Sequence, residues 1–127
     1  MVVVDTSIII DQLRRPKGTQ TELIRFIKTK ADKDLAISMI SIQELFQGQS
    51  TKDQGKLQSM LAVISPLRIL PYNYEIAQLA GEIIRDTIQP IQFADAAIAA
   101  TAIDNNCKLF TFNKKDFVEI KDLSLVE

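Results

Sequence analysis

The 127 residues suffice for one domain with a buried core, and we expect a single domain spanning residues 1–127. With 46% hydrophobic and 24% charged residues, the composition is that of a globular protein, and the net charge of −1 argues against nucleic-acid binding by bulk positive charge. No apolar run approaches the ~20 residues of a membrane span, and the N-terminus lacks the features of a signal peptide, so we expect a cytoplasmic protein without a membrane partner.

Strands and helices alternate along the first half of the sequence. The β-branched run Val2–Val4 predicts a buried strand. It ends at Asp5, where Thr6 and Ser7 predict a direct passage into a helix. The elements expected next are a basic turn at residues 14–18, a helix at 21–29, a strand at 35–38, a helix opening at Ser41 and, after a polar stretch, a helix at 57–64.

The second half continues the alternation. We expect a strand at residues 66–70, a helix at 76–84 and a linker at 86–92. Small residues then predict a helix that carries Asp95 in its first turn and breaks at Asn105. A strand at residues 107–112, a polar turn at 113–116 and a last edge strand at 118–126 complete the chain. This order predicts an α/β fold with a parallel sheet and right-handed crossovers.

Four acidic residues are expected at one edge of this sheet. Open parallel sheets place their functional sites outside the carboxyl ends of the strands. Asp5 and Asp116 follow two predicted strands, and Glu44 and Asp95 lie in the first turns of helices near the same edge. We therefore predict that the four carboxylates meet.

Each of these acids, taken alone, also has a structural explanation. Asp5 fits the N-cap of the following helix, and Asp116 fits an ordinary polar turn. Glu44 completes a capping box with Ser41. Asp95 suits a helix N-terminus, but it shares its helical face with apolar residues, so we expect it to point inward, where a charge must be paired or bind a cation.

The residue types favour metal-dependent hydrolysis. Clustered carboxylates repel one another and persist at neutral pH mainly by binding a divalent cation, which is the apparatus of metal-assisted phosphodiester hydrolysis. The sequence has no histidine and only Cys107, which excludes histidine-based catalysis, soft-metal sites and an intrachain disulfide. Oxygen-liganded Mg²⁺ or Mn²⁺ remains. Five basic residues are either solvated surface or, if they rim the cleft, phosphate-binding groups: Arg14, Arg15, Lys17, Lys114 and Lys115.

Three segments resemble a known family when read in order. They are MVVVDTS, ISMISIQELFQG and ADAAIAATAIDNNCKLFTFNKKDF, and they are similar to the PIN-domain superfamily, most of all to its VapC-type toxin ribonucleases. The resemblance implies a three-layer α/β/α sandwich with a five-stranded parallel sheet. It also implies an endoribonuclease that depends on Mg²⁺ or Mn²⁺, a homodimer, and a VapB-like antitoxin partner.

The resemblance further implies roles for particular residues. The first to fourth acids of the family correspond to Asp5, Glu44, Asp95 and Asp116, of which Asp5 and Asp95 would be the primary metal ligands. Thr111 and Asn113 would orient water, ligands or phosphate. The chain departs from many relatives in two places: Phe112 stands where they carry arginine, and the linker at residues 86–92 lacks their glycine.

Two alternatives stay open from the sequence. One is a non-catalytic PIN-fold module that binds RNA or serves assembly, although such a module would not need all four acids. The other is a receiver-like phosphoacceptor domain. A receiver-like domain requires paired acids after its first strand, whereas this chain has the single Asp5 there.

Overall fold

The computed structural model describes residues 1–29 and 34–127, and its centre is a parallel sheet. Four strands lie in the order β3-β2-β1-β4, and all neighbouring pairs are parallel. The strands are β1 (Val2–Val4), β2 (Leu35–Ser38), β3 (Arg68–Leu70) and β4 (Lys108–Phe110). The first strand of the chain is therefore central, and its β-branched side chains are buried because both faces of the sheet are covered.

Helices connect the strands and cover both faces of the sheet. Their bounds are α1 (Thr6–Arg14), α2 (Glu22–Thr29), α3 (Met39–Gln47), α4 (Gln54–Ile64), α5 (Tyr74–Asp86), α6 (Phe93–Asp104) and α7 (Lys114–Phe117), with a short 3₁₀ turn at Gln49–Lys52. The linker expected at residues 86–92 connects α5 to α6. No helix within the described ranges is both long enough and apolar enough to cross a membrane.

Two apolar cores lie on opposite faces of the sheet. Val3 and Leu109 face a core built with α5 and α6, whereas Val4 and Phe110 face a core built with α1, α2 and α4. Alternate residues of β1, β2 and β4 thus serve different cores, as the two-residue period of a strand dictates. The predicted α/β class and the sandwich of helices around a parallel sheet are confirmed.

The prediction of five strands was wrong for the part of the chain that the structure describes. The expected edge strand at residues 118–126 is reduced to one parallel bridge, where Leu125 pairs with Leu109. Phe117 and Ile120 are both buried in the core, and their three-residue spacing is helical rather than alternating. Asp122 then adopts a positive φ of 69°, which turns the chain. The segment becomes extended too late to form a strand.

Three predicted boundaries shift near the site. Helix α3 begins at Met39 rather than Ser41, because the Ser38 side chain accepts a hydrogen bond from the Ile40 amide and caps the helix directly after β2. Strand β4 ends at Phe110, and the predicted polar turn at residues 113–116 belongs largely to α7. Because of these shifts, α3 follows β2 directly, and α7 begins four residues after the end of β4.

Candidate active site

The predicted acids lie along the carboxyl edge of the sheet. Asp5 follows β1 directly, Glu44 lies in α3 beyond β2, Asp95 lies in the first turn of α6, and Asp116 lies in α7 beyond β4. Burial raises the pKa of Asp95 to about 6, and the negative charges of Asp5, Asp116 and Glu44 add to that rise, in this order. The four carboxylates therefore share one electrostatic environment.

The four carboxylates lie near one another, but they do not form a complete metal-binding site. Within residues 1–29 and 34–127, no three acid, cysteine or histidine side chains gather closely enough to hold a metal ion. The same ranges contain no lysine or arginine in an ion pair with any of the four acids. Their mutual repulsion is thus not offset by an ion pair within the described chain.

Asp5 is the most tightly held of the four. Its side chain is 3% exposed, and Oδ2 accepts hydrogen bonds from Ser7 Oγ at 2.8 Å and from Thr111 Oγ1 at 2.7 Å. Strand β4 neighbours β1, so Thr111 reaches Asp5 although it lies 106 residues further along the chain. Asp5 occupies the N-cap position of α1, but its side chain makes no capping hydrogen bond. The helix-cap explanation of this acid is therefore wrong.

The second oxygen of Asp5 remains available. Both hydroxyl donors bind Oδ2, and Oδ1 accepts no hydrogen bond from any described residue. No buried side-chain nitrogen or oxygen in the described ranges lacks a partner, so Oδ1 must keep contact with solvent. The carboxylate is thus fixed through one oxygen and open through the other.

Glu44 is held by a pair of buried hydroxyl groups. Thr6 Oγ1 donates to Glu44 Oε1 at 2.6 Å and lies 2.8 Å from Ser41 Oγ. A hydroxyl carries one proton, so when Thr6 donates to the carboxylate, Ser41 must supply the proton between the two hydroxyls. Because Ser38 caps α3, Ser41 is not the N-cap residue and the predicted capping box with Glu44 was wrong.

Asp95 contrasts with Asp5 and Glu44. It precedes a run of fully buried small and apolar residues that packs α6 between the sheet and α5. The side chain is only partly buried and accepts no hydrogen bond from the residues that the structure describes. Its carboxylate is placed at the site by the packing of α6, and its charge is favoured by the N-terminus of that helix but by no hydrogen bond or ion pair within the described chain.

Asp116, Asn113 and Thr111 lie on one short segment after β4. Thr111 is buried, whereas Asn113 and Asp116 are exposed. The Asn113 amide donates to Thr111 Oγ1 at 3.0 Å, while the Asn113 side chain does not cap α7. The segment holds Thr111 against Asp5 and leaves the other two side chains facing solvent.

Sequence reasoning missed the supporting roles of three hydroxyl residues. Thr6 and Ser7 were considered only as helix caps, and Ser41 only as part of a capping box; in the structure Ser7 supports Asp5, while Thr6 and Ser41 support Glu44. The signal available in the sequence was the pair of small hydroxyl residues directly after a strand-terminal acid.

The donor atoms fit a hard divalent cation. Every side chain that meets at this edge offers oxygen, and Mg²⁺ and Mn²⁺ prefer carboxylate and water oxygens. Asp5 Oδ1 accepts no hydrogen bond from the described residues, and the pKa of Asp95 is raised first by burial and then by neighbouring acids, whose negative charge a cation would offset. These two residues are the best placed to hold it.

A groove adjoins the site on the side of Glu44. It has a volume of about 580 Å³ and lies between α1, α3 and α4. Its walls combine apolar side chains such as Leu13 and Met60 with the basic side chains of Arg14 and Lys56. Of the five basic residues noted in the sequence, Arg14 therefore shares this groove with Glu44, whereas Arg15 forms an exposed ion pair with Asp11.

Comparison with known proteins identifies the family. The PIN domain model matches residues 2–123. The chain belongs to the PIN-domain family. It is 30% identical to ribonuclease VapC10 of Mycobacterium tuberculosis over 126 residues, covering 97% of this chain and 90% of that protein. It is 35% identical to ribonuclease VapC of Rickettsia bellii over 136 residues, covering 98% and 94%.

A solved structure gives the same assignment. The protein from Rickettsia felis in the crystal structure of VapBC2 bound to a promoter DNA fragment superimposes with a TM-score of 0.81 at 27% identity, covering 99% of this chain and 98% of that one. The resemblance to VapC-type PIN domains drawn from three sequence segments is confirmed.

Proposed function

We propose that this protein is a metal-dependent endoribonuclease of the VapC type, acting in the cytoplasm as the toxin of a toxin–antitoxin pair. The observation that carries the proposal is that four acids lie along one edge of the sheet, where burial first, and then the charges of Asp5, Asp116 and Glu44, raise the pKa of Asp95. The similar proteins named ribonuclease VapC support the choice of RNA as substrate. The absence of histidine leaves the acids and a metal as the available chemistry.

Asp5 and Asp95 would hold Mg²⁺ or Mn²⁺. When bound, such a cation supplies Lewis acidity and the positive charge that phosphodiester hydrolysis requires. Ser7 and Thr111 keep the Asp5 carboxylate in one orientation by occupying Oδ2, which would leave Oδ1 available to a cation. Asp95, in the first turn of α6, would supply the second carboxylate.

The other polar residues act on water and substrate. Thr6 fixes one oxygen of Glu44 and leaves the other to orient the attacking water. Asp116 completes the acidic pocket, and Thr111 and Asn113 orient water, ligands or phosphate. In-line attack of this water on the phosphodiester would leave a 5′-phosphate and a 3′-hydroxyl.

The proposed partners are a VapB-like antitoxin and a second copy of the chain. The structure of the similar Rickettsia felis protein is that of a VapBC pair. The groove beside Glu44 has apolar walls that suit a partner chain, and a basic side chain from that partner would neutralise the acids. Exposed apolar side chains elsewhere, such as Ile88, leave surface for homodimer formation.

The direct test is RNA cleavage. Total RNA and purified tRNA would be incubated with wild-type protein and Mg²⁺ or Mn²⁺, with and without EDTA, beside the double variant Asp5→Ala/Asp95→Ala. The matched control is Asp11→Ala/Asp104→Ala, which removes one acid from the helix that follows Asp5 and one from the far end of the helix that carries Asp95. We expect metal-dependent cleavage by the wild type and the control alone. Absence of cleavage by folded, metal-loaded wild type would favour the non-catalytic module.

A further inference from the structure

One aromatic side chain stands exposed beside the site. Phe112 is 46% exposed, although it directly follows the buried Thr111 that binds Asp5. The aromatic residue two positions earlier behaves differently: Phe110 is 9% exposed, and its ring stacks on Phe26 with centroids 4.7 Å apart. A single exposed apolar residue is ordinary on a protein surface. The position of Phe112, rather than its exposure, makes it informative.

The backbone that carries this ring is anchored to the acid site. The Phe112 amide donates to Ser7 Oγ at 3.2 Å, and Ser7 itself donates to Asp5 Oδ2. The two residues that flank Phe112 also bond to each other, because the Asn113 amide donates to Thr111 Oγ1. Thr111 Oγ1 in turn donates to Asp5. The backbone that carries the ring is therefore attached to the same hydrogen-bond network that orients the proposed metal ligand, which keeps Phe112 next to that ligand.

Cationic side chains follow the ring. Lys114 and Lys115 open α7, are exposed, and form no ion pair with the acids of residues 1–29 or 34–127. Phe112 to Lys115 thus presents an aromatic face, an amide side chain and two ammonium groups in four consecutive residues. This combination matches a single nucleic-acid strand, which offers a base face and a phosphate at each nucleotide.

Resting on the proposed function, we infer that Phe112 stacks on an unpaired base next to the scissile phosphate and that Lys114 and Lys115 bind the adjoining phosphates. The protein carries a net charge of −1, and its site is acidic, so general electrostatic attraction cannot hold the RNA there. Stacking supplies affinity that does not depend on charge. A base paired within a duplex has both faces covered and cannot stack on the ring.

The two kinds of contact have different salt dependence. Stacking of one base on an aromatic ring raises the binding affinity by about 5- to 140-fold. This gain is largely insensitive to salt. Each phosphate contact by a lysine instead adds about −0.7 to the slope of log affinity against log salt for a single strand. Loss of the ring should therefore weaken binding equally at all salt concentrations, whereas loss of the lysines should flatten the slope.

The test compares Phe112→Ala, Phe112→Trp and Tyr74→Ala with the wild type. Tyr74 is a suitable control because it is 77% exposed and follows β3, the opposite edge strand to β4. Initial rates with Mg²⁺ would be measured on a single-stranded oligoribonucleotide that contains a mapped cut, on the same sequence as a duplex, and on a series with one abasic position. Fluorescence anisotropy of the same oligoribonucleotides would give affinities, and thermal unfolding would check the fold.

We expect Phe112→Ala to raise KM for the single strand by about 5- to 140-fold with little change in kcat, because the ring binds ground state and transition state alike. Phe112→Trp should restore KM, and Tyr74→Ala should match the wild type. One abasic position should raise KM for the wild type but not for Phe112→Ala. The duplex should be a poor substrate for every protein.

Several outcomes overturn the inference. Equal KM values for Phe112→Ala and wild type do so while leaving the proposed ribonuclease intact, as does a change confined to dimerisation or antitoxin binding, which would assign the ring to a protein partner. If the wild type cuts no RNA, the proposed function fails, and the anisotropy measurements then decide whether Phe112 binds a base. Equal affinity of wild type and Phe112→Ala for the single strand would reject the stacking role of Phe112. Weaker binding by Phe112→Ala that does not change with an abasic position would support it.

Discussion

The two proposed metal ligands are held in opposite ways. Asp5 is buried at the end of the central strand, and two hydroxyl groups donate to one of its oxygens. Asp95 is partly exposed, accepts no hydrogen bond from the described residues, and has its pKa raised to about 6 by burial and by three neighbouring acids. The surroundings of Asp5 stabilise its negative charge, whereas burial and the neighbouring acids destabilise the negative charge of Asp95.

This difference separates two tasks of the site. The hydroxyl groups around Asp5 can orient a ligand without any cation, because hydrogen bonds compensate its burial. The charge of Asp95 has no hydrogen-bond donor among the described residues, so burial and the neighbouring acids make it unfavourable until a cation binds. We therefore expect Asp5 and its donors to set geometry, and Asp95 to couple the stability of the protein to cation binding.

The largest expected effect is on catalysis, where loss of Asp5 and loss of Asp95 should have similar consequences. Asp5→Asn and Asp95→Asn each remove one negative ligand with little change in shape, so each should lower the rate of RNA cleavage by about 100-fold or more. Single-turnover cleavage with saturating Mn²⁺ would measure this. Asp104→Asn, at the far end of the helix that carries Asp95, should retain wild-type rates. Normal cleavage by either ligand variant would remove that residue from the site.

The next largest effect is expected from loss of the hydrogen bond that Thr111 donates to Asp5. Thr111→Val keeps the shape of the side chain but deletes the donor to Asp5, so it should lower the cleavage rate by about 10- to 100-fold and destabilise the fold by about 1–3 kcal/mol. Thr101→Val is the matched control, since Thr101 is also buried but donates to Ala97 of its own helix. Cleavage kinetics and urea unfolding of both variants would decide. Equal rates for the two variants would contradict the orienting role.

A smaller effect is expected at Glu44. Thr6→Val should lower the cleavage rate by about 10-fold because Glu44 loses its donor. Glu44→Gln should affect activity more than stability, since Glu44 takes no part in a helix cap. In a double-mutant cycle, Thr6→Val should have little further effect once Glu44 is glutamine. Additive losses in this cycle would mean that Thr6 does not act through Glu44.

The smallest effect is the pH dependence of the metal-free fold. The Asp95 carboxyl has an ordinary pKa of 3.8 when unfolded and about 6 when folded, so between these values the folded protein binds the proton more tightly. This contribution to stability is therefore greatest below pH 4 and is lost as the pH rises through 6. Because the group is half-exposed, solvent screening reduces the contribution to about 1 kcal/mol.

Asp95→Asn tests this dependence. The neutral side chain should raise the melting temperature of the metal-free protein above pH 6 by about 3–5 °C and flatten its pH dependence between pH 4 and 6. Thermal unfolding in EDTA across this range would measure both. A melting temperature below that of the wild type at pH 7.5 would show that the Asp95 charge is compensated after all.

The placement of the four acids followed from local patterns. The run Val2–Val4 ends at Asp5, and the small-residue helix that begins at Phe93 carries Asp95 in its first turn; both are features of neighbouring residues. The order of strands and helices then implied a common edge, because parallel strands end on the same side. The sequence therefore sufficed for the fold class and for the candidate positions.

The contacts between distant segments could not be predicted in the same way. Thr111 supports Asp5 only because β4 pairs with β1, and Thr6 supports Glu44 only because α1 and α3 meet. The start of α3 was misplaced because Ser38 and Ser41 are equally good caps by residue type, and only the end of β2 selects Ser38. The fifth strand failed because the side chains of Phe117 and Ile120 turn into the core together.

The central claim is that Asp5 and Asp95 form one cation site despite their different surroundings. It is tested most directly by thermal unfolding at pH 7.5 while Mg²⁺ or Mn²⁺ is titrated into wild type, Asp5→Asn, Asp95→Asn and Asp104→Asn. A cation that binds only the folded state should raise the melting temperature of the wild type and of Asp104→Asn with increasing concentration, and should leave both ligand variants unchanged. A wild-type melting temperature that ignores the cation, or an equal rise in Asp95→Asn, would contradict the claim.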